Sequence, residues 1–170
     1  MRDINEYLRP WGSVRSNRSG MLNSSMARAL APYDEASDEK YQKTLELLNQ
    51  NSTRLHCVYC NAEAAEWDHL ISVMQDTLPT GHGHTFGNLV PACSPCNKQK
   101  LTNNWEAFLK AKAGANYEDR RAVIERYRQH YDPQPLKNPA EVWAKLQGIR
   151  SQIVDLFAQA DAIIRKASDA

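Results

Sequence analysis

The sequence lacks long apolar segments. Its longest stretch without Asp, Glu, Lys or Arg extends from Thr77 to Asn97, and this stretch contains three glycines, three prolines and two histidines. A membrane-spanning helix needs about 20 predominantly apolar residues, so this composition excludes one. The N-terminus also lacks an apolar block behind basic residues, so we expect no secretory signal and a cytoplasmic location.

Neither sign of charge dominates the chain, whose formal net charge is +1. The charges are nevertheless segregated: the local net charge is +3 over residues 1–28, −6 over 29–97, +5 over 98–150 and −1 over 151–170. Two basic regions on either side of an acidic one suit a partner that carries phosphates. The hydrophobic fraction of 42% is ordinary for a folded domain and argues against general disorder.

The region from Pro10 to Met26 has no sustained hydrophobic periodicity. It is rich in Ser, Asn, Gly and Arg, which predicts a flexible arm. Its Arg15 and Arg18, with the nearby Arg28, could bind backbone phosphates, although a plain mobile tail is the simpler interpretation.

Helical signals dominate the rest of the chain outside its middle third. Ser37 and Asp38 form a helix start that an apolar stripe follows, and Asn138 and Pro139 form the cap and first turn of a last, long helix. We predict helices from residue 38 to about 48, from 94 toward 105, at 104–113, at 117–130 and from 138 to about 166, with strands near 63–70 and 85–90.

The last predicted helix carries an apolar seam with alternating steps of four and three residues. Its members are Val142, Leu146, Ile149, Ile153, Leu156, Ala160 and Ile163. A 3.5-residue repeat held for three heptads is the minimum for a coiled coil. Either the helix lies on the protein's own core, which we favour, or the seam joins two copies in a homodimer.

The four cysteines form two pairs with the same spacing, Cys57–Cys60 and Cys93–Cys96. The two-residue gap within each pair lets both thiolates reach one metal ion, and two such knuckles supply the tetrahedral shell of a structural zinc site. A reducing compartment disfavours disulfides, and a redox motif would need only one pair. Residues 61–92 separate the pairs, which is more than a simple zinc ribbon requires.

The segment between and just after the pairs contains polar side chains in a recognisable order. Asp68-His69 follows the first pair, Gly87-Asn88-Leu89-Val90-Pro91 precedes the second, and Asn97 and Lys100 follow it. This order resembles the HNH endonucleases from Cys57 to Leu101, and the resemblance implies a ββα-metal nuclease core. We therefore expect an α+β, mainly helical protein whose core is stapled by zinc and carries helical additions at both ends.

Phosphodiester hydrolysis needs an activated water and a cation on the phosphoryl oxygens, and the resemblance assigns residues to both tasks. His69 is the expected general base, because a neutral imidazole accepts a proton near pH 7. Asp68 and Asn97, as hard oxygen donors, are the expected ligands of Mg²⁺ or Mn²⁺. Asn88 is expected to position His69, and Lys100 to neutralise a phosphate oxygen.

Several other residues have two interpretations. His82 and His84 lie in a loop whose glycines suggest flexibility, and exposed bystanders are a simpler reading than groove contacts. Trp67 and Trp105 are expected in the core. The last group, on the predicted helix at 117–130, forms either a basic face for a duplex or an ion-paired solvated helix: Arg120, Arg121, Arg126 and Arg128.

These observations predict three regions: an N-terminal arm and helix at 1–54, the nuclease core at 55–104, and a C-terminal helical region at 105–170 for DNA binding or oligomerisation. The favoured function is a Mg²⁺-dependent endonuclease acting on double-stranded DNA, as in restriction or phage defence. One alternative is a zinc-stapled binding module with an idle centre. Another is a subunit that becomes active only with a partner, such as an ATPase.

Overall fold

The backbone of residues 11–76 and 78–168 is described by a computed structural model of the chain. These residues form two compact units, one made of residues 11–29 and 140–168 and the other of residues 30–139. The elements in chain order are α1 (Trp11–Leu30), α2 (Asp38–Leu47), β1 (Glu66–His69), β2 (Met74–Gln75), β3 (Leu78–Pro79), β4 (Leu89–Ala92), α3 (Ser94–Lys100), α4 (Trp105–Ala113), α5 (Tyr117–Tyr131) and α6 (Pro139–Ser168). The α+β, mainly helical class is thus confirmed.

The first unit corrects the expectation of a flexible arm, because α1 covers that segment from Trp11 onward. Pro10 lies outside the described residues. The guanidinium of Arg18 on α1 forms a 2.8 Å ion pair with Asp161 of α6, and it lies 5.2 Å from the ring centroid of Phe157. Asp161 is only 2% exposed, so a paired cation is needed to offset the desolvation of its charge. Because Asp161 is far from Arg18 in the sequence, their contact produces no local periodicity from which α1 could be predicted.

The apolar seam of α6 is unevenly covered. Val142, Leu146 and Ile153 are half-buried, whereas Ile149, Leu156 and Ile163 are 50%, 62% and 69% exposed. In the part of the chain that the structure describes, no helix combines the length and the apolar character that crossing a membrane requires.

The second unit is built around an antiparallel hairpin of β1 and β4. Its register pairs Glu66 with Ala92 and His69 with Leu89, and α3 packs against β1. This is the strand–strand–helix order that the resemblance implies. A hydrophobic core joins the hairpin to α4 and α5, with Tyr59, Val90, Leu109 and Tyr127 almost fully buried.

Capping side chains place the helices of this unit. The hydroxyl of Ser37 accepts a hydrogen bond from the Lys40 amide at the start of α2, and Asn104 accepts one from the Ala107 amide at the start of α4. The helix predicted from residue 94 toward Trp105 ends earlier, at Lys100. Leu101 has a φ of +49°, so the chain turns there before a new helix begins.

The second strand lies later in the sequence than predicted. Strand β4 runs from Leu89 to Ala92, whereas the prediction placed it near 85–90. The amides of Asn88 and Leu89 both donate to the Thr85 carbonyl, so this stretch forms a turn. A turn ahead of the strand leaves Asn88 at the hairpin's mouth.

The arginines of α5 are engaged inside their own unit. Arg121 contacts Glu106 at 3.0 Å and Glu125 at 2.8 Å. Arg120 donates to the Val58 carbonyl and Arg126 to the Leu47 carbonyl. Arg128 lies over Trp105, 5.9 Å from its ring centroid. These contacts favour the ion-paired helix over a basic face reserved for a duplex.

Candidate metal and catalytic site

The four cysteine thiols converge at one end of the hairpin. Their sulfur atoms all lie within 4.8 Å of one another, and the Sγ atoms of Cys60 and Cys93 are 3.6 Å apart. A tetrahedron with metal–sulfur bonds of about 2.3 Å has edges of about 3.8 Å. The cluster is therefore close to the size that a zinc ion requires, as the spacing of the pairs predicts.

Local backbone geometry shapes both knuckles. The Cys57 carbonyl accepts a hydrogen bond from the Asn61 amide, and Asn61 adopts a left-handed φ of +67°. The turn brings the thiol of Cys60 back toward Cys57. The second pair lies at the start of α3, where Cys93 is the N-cap and its carbonyl accepts from the Asn97 amide.

The pKa values of the thiols shift in both directions, because burial of Cys60 is outweighed by hydrogen bonds from the Ala62 backbone and the other thiols, which lower its pKa. Burial raises the pKa of Cys57, and burial together with the adjacent Cys93 and Cys60 thiols raises the pKa of Cys96. Zinc ligation requires thiolates, and a dication supplies the charge that the protein alone does not. The residues present thus suit a structural zinc site.

Strand β1 presents its polar side chains to two different faces, because successive residues of a strand point in opposite directions. Glu66 and Asp68 face α3, where they contact Asn97 and Lys100 respectively. Trp67 and His69 share the other face. Asp68 and His69 are therefore neighbours in sequence whose side chains contact different groups.

Asp68 is buried, and one of its carboxylate oxygens has both a hydrogen-bond donor and an ammonium group as neighbours. The hydroxyl of Tyr59 donates to its Oδ2 at 2.6 Å, and the ammonium of Lys100 lies 3.3 Å from the same atom. Burial raises the pKa of Asp68, while these two partners oppose the shift. The other oxygen, Oδ1, receives no side-chain hydrogen bond among the described residues.

Lys100 joins Asp68 to the backbone of His69. Its Nζ donates to the His69 carbonyl at 2.6 Å, and the residue is only 1% exposed. The structure therefore brings Asp68, Lys100 and the backbone of His69 together. The ammonium lies inside the unit, away from the surface where a phosphate would approach.

Asn97 lies one helical turn before Lys100 and contacts Glu66. Its amide donates to the Glu66 carboxylate, which also accepts from the Ser94 hydroxyl. These two hydrogen bonds lower the pKa of Glu66. The sequence interpretation missed Glu66, although its position two residues before Asp68 on a strand places both carboxylates on one face.

Asn88 ties together the two segments that flank the hairpin's mouth. Its amide oxygen accepts from the Ile71 amide at 2.8 Å, and its amide nitrogen donates to the carbonyls of Ile71 and Gly83. The residue is buried. These three bonds fix the chain just after His69 to the loop that carries His84.

His69 faces a second histidine that the sequence interpretation had treated as a bystander. Its Nε2 lies 3.0 Å from Nδ1 of His84, and the two rings meet edge-on with centroids 4.8 Å apart. Burial, with the charges of His84 and Lys100, lowers the pKa of His69 to about 4. His69 is therefore neutral near pH 7, and the same shift makes its imidazole a weaker proton acceptor than an ordinary histidine.

The loop that carries His84 is clamped against a segment from outside the hairpin. The His84 amide donates to the Pro32 carbonyl at 2.7 Å, and the Asp34 amide donates to the His84 carbonyl at 3.1 Å. A Cβ on Gly83 would lie 2.1 Å from the Pro32 carbonyl oxygen. This glycine is thus required for a close backbone approach, which corrects the interpretation of the loop's glycines as a source of flexibility.

We expect the Gly83→Ala substitution to lower the free energy of unfolding by about 3 kcal/mol, because the added methyl group must displace backbone. Gly148→Ala is the control, since nothing lies within 4 Å of a Cβ there and a helical alanine stabilises by about 1 kcal/mol. Urea denaturation followed by circular dichroism measures both. Wild-type stability in Gly83→Ala would show that the clamp is not tight.

Trp67 corrects another expectation. Trp105 is buried in the core as predicted, but Trp67 is 38% exposed. Its ring lines a cavity beside His84 and meets Tyr41 edge-on, with ring centroids 6.3 Å apart. The strand alternation that aims Asp68 inward turns Trp67 toward the outer face.

The family model for HNH endonucleases matches residues 57–102, which are 46 of the 170 residues. The matched segment contains both cysteine pairs, the β1–β4 hairpin and α3, and it confirms the resemblance inferred from the motifs. A comparison with curated proteins and one with solved structures find no match. A nuclease of the HNH type is what the segment resembles, and nucleic-acid binding follows from that likeness.

Proposed function

We propose that this protein is a metal-dependent endonuclease that hydrolyses phosphodiester bonds of double-stranded DNA. The observation that carries the proposal is the placement of the His69 imidazole at the hairpin's mouth, where Lys100 holds its backbone carbonyl and its Nε2 lies 3.0 Å from Nδ1 of His84. The cysteine cluster at the other end of the hairpin, which could hold zinc, and the family match to residues 57–102 support the same conclusion.

In this mechanism His69 takes a proton from the attacking water as the new phosphorus–oxygen bond forms and the bond to the leaving sugar oxygen breaks. His84 lies within hydrogen-bond distance of His69 and is exposed. It therefore offers the proton a path to solvent. Asn88 keeps both imidazoles in place by bridging Ile71 and Gly83.

Asp68 and Asn97 would hold the catalytic Mg²⁺ or Mn²⁺, with the Glu66 carboxylate on the same face of β1. When bound, such an ion stabilises charge on the phosphoryl and leaving oxygens. All three residues offer hard oxygen atoms, but a bound cation would compete with the Lys100 ammonium at Asp68, and His69 lies on the opposite face of β1. We assign Lys100 a positioning role, because its burial at Asp68 separates it from a phosphate on the surface.

The organisation of an HNH core with helical additions supports a role in restriction or phage defence. A second candidate is a subunit that requires a partner for activity. The exposed apolar side chains of the α6 seam, Ile149, Leu156 and Ile163, favour that candidate, because soluble surfaces rarely leave such a row uncovered.

Cleavage of a supercoiled plasmid tests the proposal. We expect nicked or linear DNA when Mg²⁺ or Mn²⁺ is added and intact DNA without either ion. Intact plasmid under every condition, together with a retarded band in a mobility-shift assay, would contradict the proposal and support a binding module.

A further inference from the structure

The face of β1 that carries His69 opens onto a cavity of about 250 Å³. Four aromatic side chains line it, from four separate segments of the second unit: Tyr41, Trp67, Phe86 and Tyr127. Pockets for drug-sized ligands span roughly 300–1,000 Å³, so this one suits a smaller, flat group. His84 also lines it, although His69 does not, so the cavity reaches the proposed general base through its partner His84.

Two of the aromatic side chains that line the cavity, Phe86 and Tyr127, pack against Tyr131. Phe86 stacks on Tyr131 with centroids 5.3 Å apart, and Tyr131 also meets Tyr127 edge-on. The Tyr127 hydroxyl donates to the Leu89 carbonyl and is thereby occupied. Tyr127 itself is fully buried, so the rings that can offer a face for stacking are the partly exposed ones of Tyr41, Trp67 and Phe86.

The carboxylate of Asp34 lines the cavity and can discriminate between ligands. The Oδ2 atom of Asp34 accepts a hydrogen bond from the Phe86 amide at 2.9 Å. Its Oδ1 receives no hydrogen bond among the described residues. A carboxylate repels phosphate and accepts from an amino group, as Asp and Glu do with the exocyclic amine of cytosine.

We propose that this cavity, the base pocket, binds one unstacked nucleobase of the DNA strand being cut, with a preference for bases that carry an exocyclic amine. The inference rests on the proposed nuclease function and deepens it. A base stacked in the pocket holds its attached phosphate beside His84 and His69. Unpaired bases enter more readily than paired ones, because leaving a duplex stack costs free energy.

The test uses binding, so that it does not depend on cleavage. The probes are fluorescein-labelled pentanucleotides in which four positions are abasic and the central one carries cytosine, adenine, thymine or no base. Fluorescence anisotropy is measured without added Mg²⁺ or Mn²⁺. We expect the cytosine and adenine probes to bind about tenfold more tightly than the fully abasic probe, with thymine weaker than either.

Three variants test where the base binds and which base is preferred. Tyr41→Ala is expected to remove the difference between cytosine and abasic probes, whereas Tyr33→Ala leaves it intact, since Tyr33 is exposed and does not line the cavity. Asp34→Asn keeps an acceptor for the Phe86 amide and is expected to shift the preference toward thymine, whose O4 accepts from an amide. Thermal unfolding confirms that the variants are folded.

Equal affinity for abasic and base-containing probes in the wild-type protein would overturn the base pocket, even if the protein cuts plasmid DNA. Base-dependent binding that Tyr41→Ala does not weaken would place the contact elsewhere and overturn it too. Base-dependent binding without any plasmid cleavage would instead leave the pocket standing and contradict the nuclease proposal.

Discussion

The His69→Ala variant is expected to cut plasmid DNA about 10²–10⁴-fold more slowly than the wild type in the presence of Mg²⁺ or Mn²⁺. The alanine cannot take the proton of the attacking water. The Lys100 contact goes to the backbone carbonyl of residue 69, so the strand and its neighbours stay in place. Initial rates of plasmid nicking measure the effect.

The control is His130→Ala, which removes an exposed imidazole at the end of α5. We expect wild-type rates from this variant and unchanged zinc content in both. Equal cleavage by His69→Ala and the wild type would remove His69 as the base. Because the metal ligands remain in the variant, its binding to DNA should persist in a mobility-shift assay.

The second large effect is expected from Cys96→Ser, which removes one of the four thiolates. Structural zinc contributes about 10–16 kcal/mol of binding free energy in small domains, and the stability of such domains is about 5–15 kcal/mol. The loss of the site should therefore unfold the second unit. Zinc measured by atomic absorption should fall to background, and the far-ultraviolet circular dichroism signal should decrease.

Treating the wild-type protein with a chelator provides the comparison for that variant. We expect the chelator to unfold the wild type, zinc to restore it, and neither to change Cys96→Ser. A Cys96→Ser protein that is folded and free of zinc would refute a structural role for the metal.

Features with short-range signals could be predicted from the sequence. The helix starts at Ser37 and Asn104 depend on capping side chains, and the last helix begins at Pro139, a residue suited to the first turn. The cysteine cluster depends on the two-residue gap inside each knuckle, which geometry alone enforces. The resemblance to the HNH endonucleases implies the hairpin of β1 and β4.

Features set by distant contacts could not be predicted in the same way. Helix α1 has no apolar stripe, and its Arg18 pairs with a residue of the last helix. The role of Gly83 depends on the backbone of Pro32, which no local pattern encodes. The turn at Thr85 displaced the second strand, because a backbone hydrogen bond there outweighs the β-propensity of the residues.

The candidate site also combines residues that local sequence signals predict with contacts that only the fold determines. Asp68 and His69 stand out through their order in the sequence, but alternation along β1 separates their side chains, and Lys100 is turned inward by the buried carboxylate. His84 becomes a partner of His69 only through the folding of the loop. From the sequence, the arginines of α5 could have formed a basic face for a duplex. In the structure they form hydrogen bonds and ion pairs with carbonyls and carboxylates of neighbouring segments.

The clamp between Pro32 and His84 also decides which residues must accompany the HNH-like segment if it is moved into another protein. A chimera that received only residues 57–102 would inherit the thiolates and His69 but leave the amide of His84 without its acceptor. A grafted segment would therefore need residues 31–34 as well, or a segment of the host protein that supplies the same backbone hydrogen bonds to His84.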